Sequence, residues 1–262
     1  MDYKAILFEK RNNVAYITLN RPDEANALDL TMAEELHQAA LNCDQDKDVR
    51  AILITAAGRM FCGGGDLKFF NSSSEDVESL LMHVTLHFHR AISLFNLMDA
   101  PVVMAINGTA AGGGFSFAIS GDIVLAAESA KFTLAYTAAG LSPDGSSTYL
   151  LPRYIGLRRA KELMLTNRLL TAIEAADYDI VDRVVPDGQL IEEAEKQVRA
   201  FAHGPTKAFG AVKRLLDGSF SESLETQMEL ESRSIASLAA TGDGAEGIDA
   251  FVGKRKPDFK GR

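Results

Sequence analysis

A chain of 262 residues, 47% of them apolar, can bury a sizeable core, and its formal net charge of −9 without a long basic run argues against nucleic acid as a partner. No apolar run reaches the roughly 18 residues that span a bilayer, and the opening MDYKAILFEKRNN lacks the cation-then-apolar order of a secretory signal, so a cytoplasmic protein away from membranes is expected. Cys43 and Cys62, with no CxxC partner, offer neither a disulfide framework nor a thiol metal or redox site.

Residues 4–8 and 14–20 read as a hairpin around Lys10-Arg11-Asn12-Asn13, followed by the breaker Arg21-Pro22. A helix is predicted from Thr31, as N-cap with Glu34 at the capping-box position, to Asp44. The strand Val49–Ala56 leads to Phe61-Cys62-Gly63-Gly64-Gly65-Asp66. Ser72-Ser73-Ser74 with Glu75 and Asp76 is expected to cap a long helix ending near Met98, and Pro101–Ile106 reads as a buried strand. That strand reaches Asn107-Gly108, and the apolar run FSFAIS after Gly112-Gly113-Gly114 has helical character, so glycines are expected where a strand hands over to a helix. Peptide N–H groups at such a helix start are free to meet an anion, and two glycine turns of this kind can supply two donors to one oxygen. Short strands follow at Ile123–Ala127 and Lys131–Leu134. From Ser146 the pattern is helical, at 146–154, 158–166, 171–178, 187–203, 206–216, 221–240 and 244–252, with one strand at Val181–Val185. Strand and helix alternate up to this change, which indicates an α/β layer architecture with a helical C-terminal part.

Several motifs carry less than their pattern suggests. The literal GxGxxG in Thr241–Gly247 follows no strand, and no GxxxxGK[ST] is present. His83 and His87 stand i, i+4 on the long helix, but no HExxH completes a metal site, and no metal is expected. His89 lies on a different face from both. Ser116 is not in a GxSxG, which removes the usual nucleophilic serine. Asp144, in Leu141-Ser142-Pro143-Asp144-Gly145-Ser146, either caps the next helix or aims a carboxylate at whatever the glycine turns hold.

Taken together, VAYITLNRP-DEANAL, MFCGGGDL, PVVMAINGTAAGGG, GDIVLAAESAKF, GLSPDGSSTYLLPRYIG and AFVGKRKPDFKGR resemble the crotonase, or enoyl-CoA hydratase/isomerase, superfamily along essentially the whole chain. The resemblance implies an α/β spiral of ββα units over residues 1–200 and a helical trimerisation region over 201–262. It also implies a homotrimer or dimer of trimers, and an acyl-CoA thioester as substrate, with no separate cofactor. The N–H groups of Gly65 and Gly113 match the positions that hold the thioester oxygen. Ala25, Ala27, Gly63, Asp66 and Leu67 fall where the family surrounds adenine and pantetheine. Arg21 or the basic tail Lys254-Arg255-Lys256 are candidates for the CoA phosphates, and with Lys68 they are the local cations open to a polyanionic ligand.

Where hydratases of the family carry their two glutamates, this chain has Ser116 and Tyr136, so ordinary hydration is not expected. The loop around Asp144 resembles the isomerase branches, in which this acid moves a proton while an oxyanion-stabilised dienolate forms, and Tyr136 shapes the acyl pocket or donates a hydrogen bond. His89, Tyr136 and Asp144 also resemble the 4-chlorobenzoyl-CoA dehalogenase branch, which implies hydrolysis with Asp144 as nucleophile and His89 as base. That branch has tryptophan at the position of Tyr136, and this chain has no tryptophan. A CoA-ester binder without turnover is the third reading.

Overall fold

The structure is a computed structural model that describes residues 3–73 and 76–262. Strands β1 (Ile6–Arg11) and β2 (Val14–Leu19) form the antiparallel hairpin in register from Ile6↔Leu19 to Arg11↔Val14. Asn12 and Asn13 turn it with φ of 52° and 62°, a positive-φ pair whose twist suits a two-residue hairpin loop. Helix α1 (Leu30–Gln45) begins earlier than predicted. Its N-cap is Asp29, whose carboxylate accepts the Met32 N–H at 2.8 Å, and not Thr31. Both are capping residues, but the charged one also meets the positive end of the helix dipole.

The chain then winds three times through the same sequence of layers. Strand β3 (Ala51–Ala56) enters a large sheet, β4 (Met60–Cys62) enters a smaller one, and helices α2 (Leu67–Ser72) and α3 (Val77–Leu97) return the chain. Next come β5 (Val102–Ile106), β6 (Thr109–Ala111) and α4 (Gly113–Ala118). The third turn is β7 (Ile123–Ala127), β8 (Lys131–Thr133) and α5 (Ser147–Ile155). Helix α6 (Leu157–Thr166), β9 (Leu170–Thr171), α7 (Ala172–Asp177) and β10 (Arg183–Val185) complete the sheets. Each turn adds one strand to both, giving the orders β1-β2-β3-β5-β7-β10 and β4-β6-β8-β9. The pairs from β2 to β10 and from β4 to β8 are parallel, which requires the helical crossovers.

One expectation is corrected here and another is met. The glycine run after residue 111 does not follow the large-sheet strand directly, because β6 intervenes; three residues are too few to show a strand period. The long helix expected after the cap at residues 72–76 is α3, and the short α2 before it is unexpected. Ser72 ends α2, and Asp76 caps α3 by accepting the Ser79 N–H at 3.1 Å, while Ser74 and Glu75 lie outside the described residues.

All six residues of α4 are buried. Phe117 lies 5.9–6.3 Å from the rings of Phe61, Phe88 and Phe95, so the aromatic core holds α3, α4 and the small sheet in one packed unit. Helix α8 (Leu190–Ala202) packs on the large sheet, and α9 (Thr206–Gly218) packs on α3. Beyond them, α10 (Leu224–Ala239) buries no residue within the chain, and α11 (Gly242–Val252) leaves Phe251 87% exposed. The C-terminal tail folds back onto the core. Buried Asp243 accepts the N–H groups of Lys260 and Gly261 at 2.6 and 2.7 Å, and Arg50 donates to the carbonyls of Gly204 and Phe259. Among the described residues no helix is long and apolar enough to cross a membrane.

Candidate active site

Because β4 and β6 are parallel neighbours, the glycine turns that leave them lie side by side. Gly64 has φ of 93°, and a Cβ on it would stand 2.9 Å from the Ala111 carbonyl oxygen, so both the conformation and the contact require glycine. Leu28 donates its N–H to Gly64 O at 2.7 Å and accepts the Asp66 N–H at 2.9 Å. These bonds straddle Gly65 and fix it while leaving its own N–H unused. Gly113 is the first residue of α4, where a helix N–H has no intrahelical acceptor. Among the described residues neither N–H has a protein acceptor.

Both glycines line a cavity of about 300 Å³ together with Tyr136 and Asp144. Its wall is otherwise largely apolar, with Leu28, Leu81, Val84, Phe88 and Leu141 among its residues. The cavity therefore pairs two unengaged backbone donors with one carboxylate in apolar surroundings, the arrangement needed to hold a developing oxyanion while a proton moves nearby.

Asp144 does not cap α5. The N-cap is Ser146, and only the backbone carbonyl of Asp144 serves the turn, accepting the Ser147 N–H and hydroxyl at 3.2 and 2.9 Å. Its carboxylate is engaged elsewhere. Tyr136 donates its hydroxyl to Oδ1 at 2.6 Å, and His89 Nε2 lies 3.1 Å from Oδ2. The Tyr136 oxygen is in turn 2.9 Å from Ser116 Oγ, which is fully buried. Burial first, and then the Asp144 charge, pushes the Tyr136 phenol well above its usual range, so it remains a neutral donor. The structure thus brings Ser116, Tyr136, Asp144 and His89 into one chain of contacts.

The other expected residues lie at the rim or beneath it. Ala25, at φ 55°, accepts the Gly63 N–H at 2.9 Å, and Gly63 and Leu67 line the cavity. Ala27 is packed below them, and its carbonyl accepts from Arg21. Asp66 caps α2 through the Phe69 N–H and meets Arg21 at 3.1 Å. Arg21 also meets Asp29 at 3.2 Å, so this cation is turned inward to two carboxylates and is not a free phosphate ligand. Arg255 is likewise paired, with Glu246 and Asp249 at 2.6 Å each, whereas Lys68 is exposed.

His83 and His87 do not form a pair. His87 Nδ1 instead lies 3.2 Å from His37 Nδ1 across the α1–α3 contact, and no group of three potential metal ligands occurs among the described residues. Sequence reasoning missed the Ser116–Tyr136 contact, which joins α4 to the loop after β8 and has no local signature. It also missed Leu28 and Leu141 as wall residues. The wall from α3, by contrast, is marked by the apolar spacing Leu81, Val84, Phe88, which puts three side chains on one helix face.

Residues 9–262 match the family described as enoyl-CoA hydratase/isomerase. The chain is 35% identical over 258 residues to the 1,2-epoxyphenylacetyl-CoA isomerase of Escherichia coli, covering 98% of each. It is 37% identical over 262 residues to a protein of Rhodobacter capsulatus named probable enoyl-CoA hydratase, covering 100% of each. Its fold superposes on the crystal structure of enoyl-CoA hydratase from Bacillus anthracis with a TM-score of 0.92 at 32% identity, over 99% of this chain and 100% of the other.

Proposed function

We propose that this chain, which belongs to the enoyl-CoA hydratase/isomerase family and has its crotonase α/β fold, shifts a double bond in an enoyl-CoA thioester, with Asp144 as proton shuttle. The observation that carries the reading is that the Asp144 carboxylate opens on the same cavity as the unengaged N–H groups of Gly65 and Gly113. In this reading Asp144 removes a proton from C2 of a 3-enoyl thioester. The C–H electron pair delocalises onto the thioester oxygen, which the two peptide donors hold as a dienolate. Each such donor contributes about 3–4 kcal/mol when its loss is measured in other enzymes. The protonated carboxyl then returns its proton to C4, the electrons flow back, and the double bond rests between C2 and C3 with no net gain or loss of protons. Tyr136 keeps the carboxylate oriented throughout.

Relatives bear both isomerase and hydratase names, so the family alone does not choose the reaction. What favours isomerisation is the polar inventory of the cavity. Ser116 and Tyr136, at the positions where the resemblance expects the glutamates of a hydratase, are hydrogen-bonded to each other, and Asp144 is the one carboxylate among the described residues that line the cavity. The expected homotrimer, or dimer of trimers, draws support from the exposed Leu224, Met228, Ile235, Phe251 and Val252 on α10 and α11.

Incubation with 3-enoyl-CoA in D2O, followed by NMR at C2 and C4, tests the reaction. Migration or exchange that disappears in Asp144→Asn is expected; migration that survives the substitution would remove Asp144 from the chemistry. The His89–Asp144 contact of 3.1 Å supports a second reading, hydrolysis of an aryl-CoA with Asp144 as nucleophile and His89 as base. Incorporation of 18O from solvent into Asp144 during turnover would select it. Binding of CoA esters with neither reaction would leave the non-catalytic binder.

A further inference from the structure

Taking a proton from carbon is demanding for any carboxylate, and in the proposed function Asp144 performs it. Its second oxygen, however, meets a ring nitrogen that is set up to receive a proton. The Gly145 N–H points at His89 Nε2 over 3.1 Å, a contact that the Nδ1–H tautomer satisfies by leaving a lone pair on Nε2. Oδ2 of Asp144 lies 3.1 Å from that same nitrogen.

On its other side His89 lines a second cavity of about 350 Å³, with Ser93, Asn96, Gly145, Tyr149 and Asp217. The two cavities share no lining residue, and Leu97 and Tyr149 at the second are 50% and 43% exposed, which opens it to water. The wall between them is tight. A Cβ on Gly145 would stand 2.8 Å from both Phe88 and Ser116. His89, whose side chain is 47% exposed, therefore faces a second space open to solvent, while Asp144 faces the first. Arg90, its neighbour in sequence, acts electrostatically on His37.

We infer that His89 stores the substrate proton during the life of the enolate: Asp144 collects the proton and His89 Nε2 holds it. The inference rests on the proton-shuttle reading of Asp144. When the substrate C–H bond breaks, its proton forms an O–H bond on Asp144 and its electron pair goes to the thioester oxygen. The O–H bond then breaks toward Nε2, giving a carboxylate–imidazolium pair whose positive charge is open to water on the side of the second cavity. The same two steps in reverse deliver the proton to carbon, so nothing is consumed. Protonation of Nε2 removes the acceptor of the Gly145 N–H, which keeps the imidazolium transient. His89 thus acts through Asp144 and never touches the substrate.

Acetoacetyl-CoA, a thioester that enolises without turning over, tests this at equilibrium. Wild-type protein is expected to bind it as the enolate, seen as its near-ultraviolet band, with the 15N signals of His89 moving to the imidazolium position. His89→Gln is expected to bind the ligand while losing the enolate band several-fold, an effect on the bound form that a purely structural role would not produce. An equal band in both proteins, or a ring that stays neutral beside a bound enolate, would overturn the inference. Failure of any CoA ester to bind would instead overturn the proposed function. The storage role is then decided in the free protein, where the 15N spectrum must show the Nδ1–H tautomer; an Nε2–H tautomer ends it.

Discussion

The hydroxyl of Tyr136 points its proton at Asp144 Oδ1 over 2.6 Å. Because burial and the neighbouring charge keep the phenol neutral, Tyr136 remains a hydrogen-bond donor to the carboxylate. A hydrogen bond to a charged group is worth about 1.5–3 kcal/mol. Tyr136→Phe should therefore lower kcat on 3-enoyl-CoA by about 10- to 100-fold with little change in KM, since the ring that lines the cavity remains. Steady-state kinetics check it; a rise in KM alone would show that Tyr136 only shapes the pocket.

The two glycine turns should be intolerant of any side chain at Gly64. Its positive φ alone costs an alanine about 1–3 kcal/mol, and the contact with Ala111 O adds to this. Gly140 has φ of 73° with nothing within 4 Å of where a Cβ would stand, so Gly140→Ala carries only the conformational part. Thermal melts of the two variants should show Gly64→Ala falling further, by roughly 2–4 °C per additional kcal/mol.

Asp243→Asn should release the C-terminal tail. Its two carboxylate oxygens accept two backbone N–H groups of the tail, whereas the amide nitrogen of Asn can only donate, so one bond becomes a clash of donors. A cost of about 1–3 kcal/mol is expected. Limited trypsinolysis at Arg255 and Lys260 should accelerate before any other site is cut.

The same tail should loosen in acid. Hydrogen bonds from Arg255, and then from the Asp258 N–H, hold the Glu246 carboxyl down to about 2 from 4.5. A depressed acid contributes its full stabilisation above the unfolded value and loses it as pH falls through 4.5 toward about 2. Hydrogen exchange at Asp258 should lose protection over that window in the wild type, and Glu246→Gln should abolish the pH step.

Both thiols should be inert in the native protein. Burial pushes Cys43 and Cys62 up to about 12, so almost no thiolate exists near neutrality. Iodoacetamide at pH 8 should label neither until denaturant is added; rapid native labelling would place one of them at the surface.

What could be read from sequence followed burial. Ala51–Ala56 and Val102–Ile106 are covered on both faces, so they show as continuous apolar runs. Of the smaller sheet only β8 is legible, as the expected strand Lys131–Leu134; β4, β6 and β9 are two or three residues long and fall below any periodic signal, which hides the second layer and with it the β6 segment before Gly112. Asp29 and Thr31 both suit a cap, and only the backbone geometry chooses between them. The candidate site divides in the same way. Its glycines are visible because they punctuate the chain, whereas His89 and Asp144 lie 55 residues apart and become neighbours only when α3 packs against the loop before α5.

The donors of Gly65 and Gly113 belong to the main chain, and the groups that can move protons belong to side chains. A point mutation replaces the second kind and leaves the first in place. Descendants of such a scaffold can exchange one reaction for another without first giving up their grip on the ligand, so divergence in chemistry runs ahead of divergence in shape. For this chain, the identities at positions 89, 116, 136 and 144 carry more information about its reaction than its overall similarity to any relative.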